Sequence, residues 1–84
     1  MKATHRDFSK LQRNLVGPAI RLLRRSKKPR MTQEMLAGRL SVHDVSLNPR
    51  DISRIEKQRR YVRDIELQAI ARILRVRVAK LLGM

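Results

Sequence analysis

The stretch NPRDISRIEKQRR, residues 48 to 60, combines five cationic side chains with two isoleucines three residues apart. On a helix that turns about 100° per residue, Ile52 and Ile55 lie on one face. The opposite face carries Arg50, Arg54 and Lys57, at positions i, i+4 and i+7. An α-helix fits the major groove of B-DNA, where arginine can donate two hydrogen bonds to guanine O6 and N7. The pattern therefore predicts Arg50 and Arg54 as base-reading residues.

Two neighbouring side chains of this stretch have alternative roles. Asp51 could accept a hydrogen bond from a cytosine amino group, or it could reach back and complete the cap of its own helix, which we favour. Lys57 and Gln58, further along, are expected to meet phosphates. The alternative for the whole cationic row is a solvated helix face, which charged runs usually form.

The composition indicates which partners such a surface would attract. The chain has 84 residues and a formal net charge of +14. An excess of this size attracts polyanions, chiefly nucleic acid or an anionic membrane, although a basic surface can also be merely soluble. Without cysteine, the chain has no disulfide framework and no thiolate metal site, so a reducing cytoplasm fits. No apolar run approaches the roughly 20 residues of a membrane-spanning helix.

Hydrophobic spacing predicts an all-α domain of five helices over residues 16–84, preceded by a basic tail, residues 1–15, that is at most partly helical. The first helix begins at Gly17 and Pro18 and ends near Ser26, and the second follows a Thr32 cap. The third begins at the cap Asn48 with Pro49 in its first turn. A fourth begins near Asp64, with an inward face of Leu67, Ile70, Ala71 and Leu74, and Val78, Leu81 and Leu82 indicate a short fifth.

In this order the segments resemble the Cro/repressor-like helix-turn-helix family, also called the XRE family, over about residues 15 to 82. The resemblance rests on NLVGPAIRLLRR, TQEMLAGRL, DISRIEKQRRYVRDIELQAIARIL and VRVAKLL. It implies a lambda-repressor-like fold whose third helix lies in the major groove. It also implies a phosphate contact at Thr32 and Gln33 and base contacts at Pro49, Arg50 and Arg54 beside Asp51. Contacts to the DNA backbone would come from Arg59, Arg60, Tyr61 and Arg63, and an internal ion pair from Arg24 and Glu56.

Two departures from the family pattern concern the connections. The segment SVHDVSLNPRD between Leu40 and Ile52 is about five residues longer than usual, as in an extended branch in which the second helix runs on. In that branch an apolar residue, here Val45, fills the gap. The segment KKPR replaces a tight turn that glycine often marks.

Other features predict no catalysis, cofactor or metal. His5 and His43 are far apart and lack cysteine partners, and VHDVS has neither the apolar pocket nor the glycine elbow of a nucleophile site. Ile65, Ala69 and Ile73 form a second apolar line on the fourth helix, which could contact a second copy or be covered by Phe8 and Leu11 of the same chain.

The favoured function is a sequence-specific regulator of transcription, more often a repressor, that binds double-stranded DNA as a homodimer and acts by occupying its operator. We expect it in the cytoplasm of a bacterium or in a phage-infected cell, associated with the nucleoid and not with membranes. Four alternatives remain open: an antitoxin that binds DNA and a partner protein, a protein that binds RNA or the ribosome, a non-specific basic nucleic-acid-binding protein, and a membrane-surface protein. Few aromatic residues count against RNA, and the absence of tryptophan counts against the membrane.

Overall fold

The computed structural model describes residues 12 to 84, which form five α-helices and no strand. The helices are α1 (Gly17–Ser26), α2 (Gln33–Val42), α3 (Pro49–Glu56), α4 (Asp64–Leu74) and α5 (Val78–Leu81). The predicted all-α class is therefore confirmed for this part of the chain. Of the predicted tail, residues 1–11 lie outside the described residues, and residues 12–15 are not helical.

The helix starts predicted from the capping residues are confirmed. Thr32 Oγ1 accepts a hydrogen bond from the backbone N–H of Met35 at 3.0 Å, which caps α2. At α3 the cap is reciprocal: Asn48 Oδ1 accepts from Asp51 N at 2.8 Å, and Asp51 Oδ2 accepts from Asn48 N at 3.1 Å. Pro49 occupies the first turn of α3, where its missing N–H costs nothing.

The apolar faces of all five helices meet in one core. Its largest enclosed side chains are Ile20, Leu36, Leu40, Ile52, Ile55, Ile70, Leu74 and Leu81. Leu67 of α4 is only partly buried. Val78 of α5 is also only partly buried and Leu82, just after α5, is exposed, so α5 contributes less than the sequence predicted. On α4 the second apolar line is mostly covered, because Ala69 and Ile73 pack against the core while Ile65 stays exposed.

The long connection between α2 and α3 turns sharply instead of extending the helix far beyond Leu40. After Val42 the backbone N–H of Val45 bonds to Leu40 O at 3.0 Å and that of Asp44 to Ser41 O at 3.1 Å, which is the Schellman pattern. Asp44 takes the left-handed conformation this pattern requires, with φ of 61°. Val45 is then buried, as predicted, and Leu47 is buried beside the start of α3.

The N-terminus of α1 packs directly against the end of α3, and glycine permits this contact. A Cβ atom at Gly17 would overlap the carbonyl oxygen of Ile55 and lie 3.0 Å from that of Glu56. Gly38, in the middle of α2, has no atom within 4 Å of the corresponding position. Of these two glycines, only Gly17 is required by the close approach of two helices, namely α1 and α3.

This difference predicts opposite effects of the same substitution. Gly17→Ala should lower the free energy of unfolding by about 1–3 kcal/mol or more, because backbone must move to admit the methyl group. Gly38→Ala should raise it by about 0.5–1 kcal/mol, because alanine favours a helix interior. Urea denaturation measures both, and equal effects of the two changes would contradict the close packing of Gly17 on α3.

Candidate nucleic-acid interface

The α3 helix presents its cationic row to solvent, as the sequence predicted. Ile52 and Ile55 are each 1% exposed, whereas Arg50 and Arg54 are both exposed on the outer side of the helix. Pro49, at the first position, is half-buried. The geometry thus leaves both predicted base-reading guanidinium groups accessible to a ligand.

Asp51 is engaged within the protein. Its carboxylate completes the cap of α3, and its Oδ1 also lies 4.0 Å from Nε of Arg60. Of the two roles that the sequence allowed, capping is the one seen in the structure. A base contact by Asp51 would have to compete with these bonds.

A buried ion pair fixes the inward side of α3. Arg24 Nε lies 2.7 Å from Glu56 Oε2, and Arg24 Nη2 donates to Glu56 Oε1 at 2.9 Å. Arg24 Nη1 also donates to the carbonyl oxygen of Met31 at 2.9 Å, and Gln33 Nε2 donates to Glu56 Oε1 at 3.0 Å. The predicted pair is present, and it connects α1 and α3 with the start of α2.

Gln33, predicted to contact a phosphate, is therefore held by Glu56. The amide still has a second N–H and a carbonyl oxygen with which to bind a ligand. Thr32, the other residue of the predicted phosphate contact, is exposed, and its hydroxyl oxygen caps α2. Contacts within the protein thus hold the α2 N-terminus beside α3.

The predicted backbone-contacting loop divides into inward and outward side chains. Gln58 adopts a left-handed conformation, with φ of 62°, and donates from Nε2 to Asn14 O at 3.0 Å. Arg60 donates from Nη1 to Glu66 Oε1 at 3.0 Å and from Nη2 to Oε2 at 3.3 Å. The side chains of Lys57, Arg59, Tyr61 and Arg63 remain exposed. These four side chains are better placed than those of Gln58 and Arg60 to contact a phosphate backbone.

Glu66 is the anion that organises this loop. It is 3% exposed, and besides Arg60 it accepts from the backbone N–H of Arg63 at 3.0 Å and from the Arg63 guanidinium at 3.2 Å. Burial by itself would raise the pKa of Glu66, but the bonds from Arg60 and Arg63 outweigh it and lower the pKa. The hydrogen bond with Glu66 correspondingly raises the pKa of Arg60.

The segment before α1 closes the end of α3, a contact that the sequence reasoning missed. Asn14 Nδ2 donates to Ile55 O at 3.0 Å and to Arg60 O at 2.8 Å, while Asn14 Oδ1 accepts from Gly17 N at 2.8 Å. An asparagine three residues before a helix start was the available signal, since this residue type caps helices. What the sequence could not show was its bonding to residues more than 40 positions away.

Arg13 is a second residue that the sequence reasoning did not assign to the site. Its guanidinium carbon lies 5.1 Å from the centre of the Tyr61 ring, and Nη1 donates to the Tyr61 hydroxyl at 3.1 Å. A cation over an aromatic face is attracted by the ring quadrupole. The pair adds one more positive charge beside α3.

Two basic clefts flank α3. One, of about 530 Å³, is lined by Arg13, Arg54, Arg59, Arg60, Tyr61 and Arg63. The other, of about 400 Å³, lies between α1, α2 and α3, and its lining includes Arg21, Arg25, Arg30 and Lys57, which form no ion pair with any residue from 12 to 84. Because cations surround both openings, each cleft concentrates anions. The run RLLRRSKKPR is the sequence signal for the second cleft, although its pattern by itself predicts only a helix and its end.

No protein-family model, curated protein or solved structure matches this chain. In the part of the chain that the structure describes, no helix is long and apolar enough to cross a membrane. Among residues 12–84 there is also no cluster of three or more histidine or acidic side chains that could hold a metal ion.

The buried ion pair gives a prediction about stability. Glu56→Ala should lower the free energy of unfolding by about 3–5 kcal/mol, because it leaves the Arg24 charge buried without a partner. The double variant Arg24→Met with Glu56→Leu removes both charges and should be more stable than Glu56→Ala. Chemical denaturation distinguishes the two, and a double variant less stable than the single one would show that the unpaired Arg24 charge is not the main cost.

The lowered pKa of Glu66 gives a pH dependence with a definite sign. Below its ordinary value of 4.5, unfolded chains bind a proton at Glu66 that folded chains do not, so stability falls as the pH falls through the folded-state pKa. Glu66→Gln should remove this part of the acid dependence and be less stable than the parent protein above pH 4.5. Denaturation across an acid pH series measures it, and Glu34→Gln, at an exposed site on α2, controls for the loss of one negative charge.

Proposed function

We propose that this protein is a sequence-specific double-stranded DNA-binding protein that places α3 in the major groove. The observation that carries the proposal is the exposure of Arg50 and Arg54 on the side of α3 opposite the buried Ile52 and Ile55. Both side chains stand on one rigid helix whose start is capped and whose end is pinned by Glu56. Such a helix can hold guanidinium groups at fixed positions against base edges.

The two basic clefts support contact with the DNA backbone on each side of that helix. Arg54 borders one cleft and Lys57 the other, so cations extend from the proposed base-reading row in both directions. Phosphate contacts of this kind fix the register of a protein on a duplex but carry no sequence information. In this arrangement the phosphates of one DNA strand are contacted by Arg59, Tyr61 and Arg63. The phosphates of the other strand are contacted by Arg21, Arg25 and Arg30.

The proposed architecture is a lambda-repressor-like helix-turn-helix of the Cro/repressor-like family with a lengthened connection between α2 and α3. The order of the helices, the buried Arg24–Glu56 pair and the burial of Val45 support it. We propose that the protein binds as a homodimer to a two-fold symmetric operator with half-sites about 34 Å apart. It would repress by occupancy and without catalysis, on the nucleoid of a bacterium or an infecting phage.

Selection from random duplexes tests the proposal. The parent protein should enrich a symmetric motif. Arg50→Ala should relax the preference at one position in each half-site and weaken binding to the selected site by about 1–3 kcal/mol. Enrichment of featureless sequences would show that charge alone drives binding, and would refute specific readout.

Arg59→Ala is the matched control for that substitution, since it removes one exposed arginine from the loop and not from α3. It should weaken all duplexes about equally and reduce the slope of log affinity against log salt by about one. The expected contrast is between a change in base preference for Arg50 and a change in salt dependence for Arg59. If both variants lose the same affinity on every sequence, the assigned roles are wrong.

A further inference from the structure

An exposed isoleucine separates two grooves on the face formed by α4 and the connection between α2 and α3. Ile65 is 69% exposed, and together with Val45 it borders both grooves, which measure about 300 and 150 Å³. The Arg50 side chain borders neither of them. Arg63, a proposed phosphate contact, does border the larger groove, so the side of this face around the smaller groove is the part that stays open to a partner while α3 meets DNA.

The two grooves differ in charge. The larger one contains the carboxylates of Asp44 and Asp64, which are exposed and form no ion pair within residues 12–84, and also the ion pair between Arg63 and the buried Glu66. The smaller one contains His43 and the exposed Arg72. Within the described residues, two unpaired carboxylates thus stand on one side of the apolar ridge and the unpaired Arg72 stands on the other.

Acids on this surface are unusual for this chain. The protein has 21 Lys and Arg residues but only seven acids. Within the described residues three of those acids are bonded internally, namely Asp51, Glu56 and Glu66. Two of the remaining acids, Asp44 and Asp64, border the same groove. Their placement lowers the local positive charge at this face, which favours the approach of another cationic molecule.

Asp64 and Arg72 cannot neutralise one another within the same helix. Eight residues separate them, about 12 Å along the axis, whereas pairs within a helix form at spacings of three or four residues. A second α4 that runs antiparallel across the first brings the two charges together. Suppose that the two helices cross between Gln68 and Ala69. A residue on one side of the crossing in one copy then lies opposite the residue equally far on the other side of the crossing in the second copy, so that the two residue numbers add up to about 137. Arg72 of one copy then faces Ile65 and Asp64 of the other.

We propose that this face, defined by Ile65, Asp64, Gln68, Ala69 and Arg72 of α4, is the surface through which two copies of the chain associate about a two-fold axis. Each Ile65 packs on the aliphatic stem of the partner copy's arginine, and each Asp64 pairs with its guanidinium. The contact is isologous, because the same patch supplies both sides. The small Ala69 side chain permits close approach at the crossing. The inference deepens the proposed function and rests on it in one respect, since a two-fold operator requires two copies.

Sedimentation equilibrium without DNA tests the surface. The parent protein should show a concentration-dependent dimer, and Ile65→Asp should weaken it about tenfold or more by placing an unpaired charge in the contact. Leu22→Asp is the matched control, because Leu22 is an equally exposed apolar residue, 71% exposed, on the outer side of α1. Equal association of the two variants, or a monomeric parent protein, would overturn the inference.

A charge exchange tests the pairing itself. Asp64→Lys and Arg72→Glu should each weaken the dimer, and the double variant should recover most of the loss, because the reversed charges attract again. Thermal unfolding of each variant checks that the helix is intact. A double variant that is no better than the single variants would show that the two residues do not meet across the contact.

The absence of cysteine from the chain permits a direct geometric test. Under air oxidation Gln68→Cys should form a disulfide between two copies, since the residue lies beside the proposed axis. Ser41→Cys, exposed on α2, should remain largely monomeric. If both variants cross-link to the same extent, the axis is not where we place it.

Two further measurements distinguish a failure of this dimer surface from a failure of the proposed function. A duplex with one half-site is bound by single copies, so Ile65→Asp should retain half-site affinity and lose only the gain from a second half-site. A lack of sequence preference in the parent protein would refute the proposed function and leave the sedimentation result intact. If Ile65→Asp lowers the melting temperature without changing association, Ile65 packs within its own chain and the inference is wrong.

Discussion

The arrangement of the first three helices depends on one buried ion pair. Arg24 and Glu56 leave water together, and a buried charge without its partner is costly, so any movement that separates the helices is opposed. Glu56 is the last residue of α3 and shares a face with Ile52, one turn earlier. Fixing Glu56 inward therefore fixes the rotation of α3 about its own axis. The outward direction of Arg50 and Arg54 is a consequence of that rotation.

The position of α3 along its axis is fixed by other contacts at its two ends. At the start, Asn48 and Asp51 cap each other, and Arg60 lies close to Asp51 while binding Glu66 of α4. At the end, the Asn14 amide holds the carbonyl oxygen of Ile55, and the absence of a side chain at Gly17 lets α1 approach. The helix is only eight residues long, too short to be stable alone. Its order therefore comes from these end contacts and from the two buried isoleucines.

Local patterns in the sequence were sufficient to predict the helices and much of the core. The caps Thr32 and Asn48, Pro49 and the spacing of the isoleucines are short-range signals, and each was confirmed. The side-chain bonds of Gln33, Asn14 and Arg60 were not predictable in this way. They join residues that folding alone brings together, such as Asn14 and Arg60, 46 positions apart. The resemblance to a family supplied the Arg24–Glu56 pair, which spacing alone would not have predicted.

The placement of the acids bears on the choice between the proposed specific readout and a general attraction to polyanions. In the described residues the internally bonded acids each lie beside an arginine, and they hold Arg24, Arg60 and the start of α3 in place. Within residues 12–84, cations without an ion pair lie on the outer side of α3 and around the two flanking clefts, and others, among them Arg39, Arg72, Arg77 and Lys80, lie on other faces. A protein that used charge alone would not need rigid support beneath Arg50 and Arg54, because a mobile lysine attracts phosphate equally well. Discrimination between bases does need it, since two parallel hydrogen bonds to guanine form only when the guanidinium is held in one orientation. The use of scarce acids to orient α3 therefore favours specific readout over general attraction.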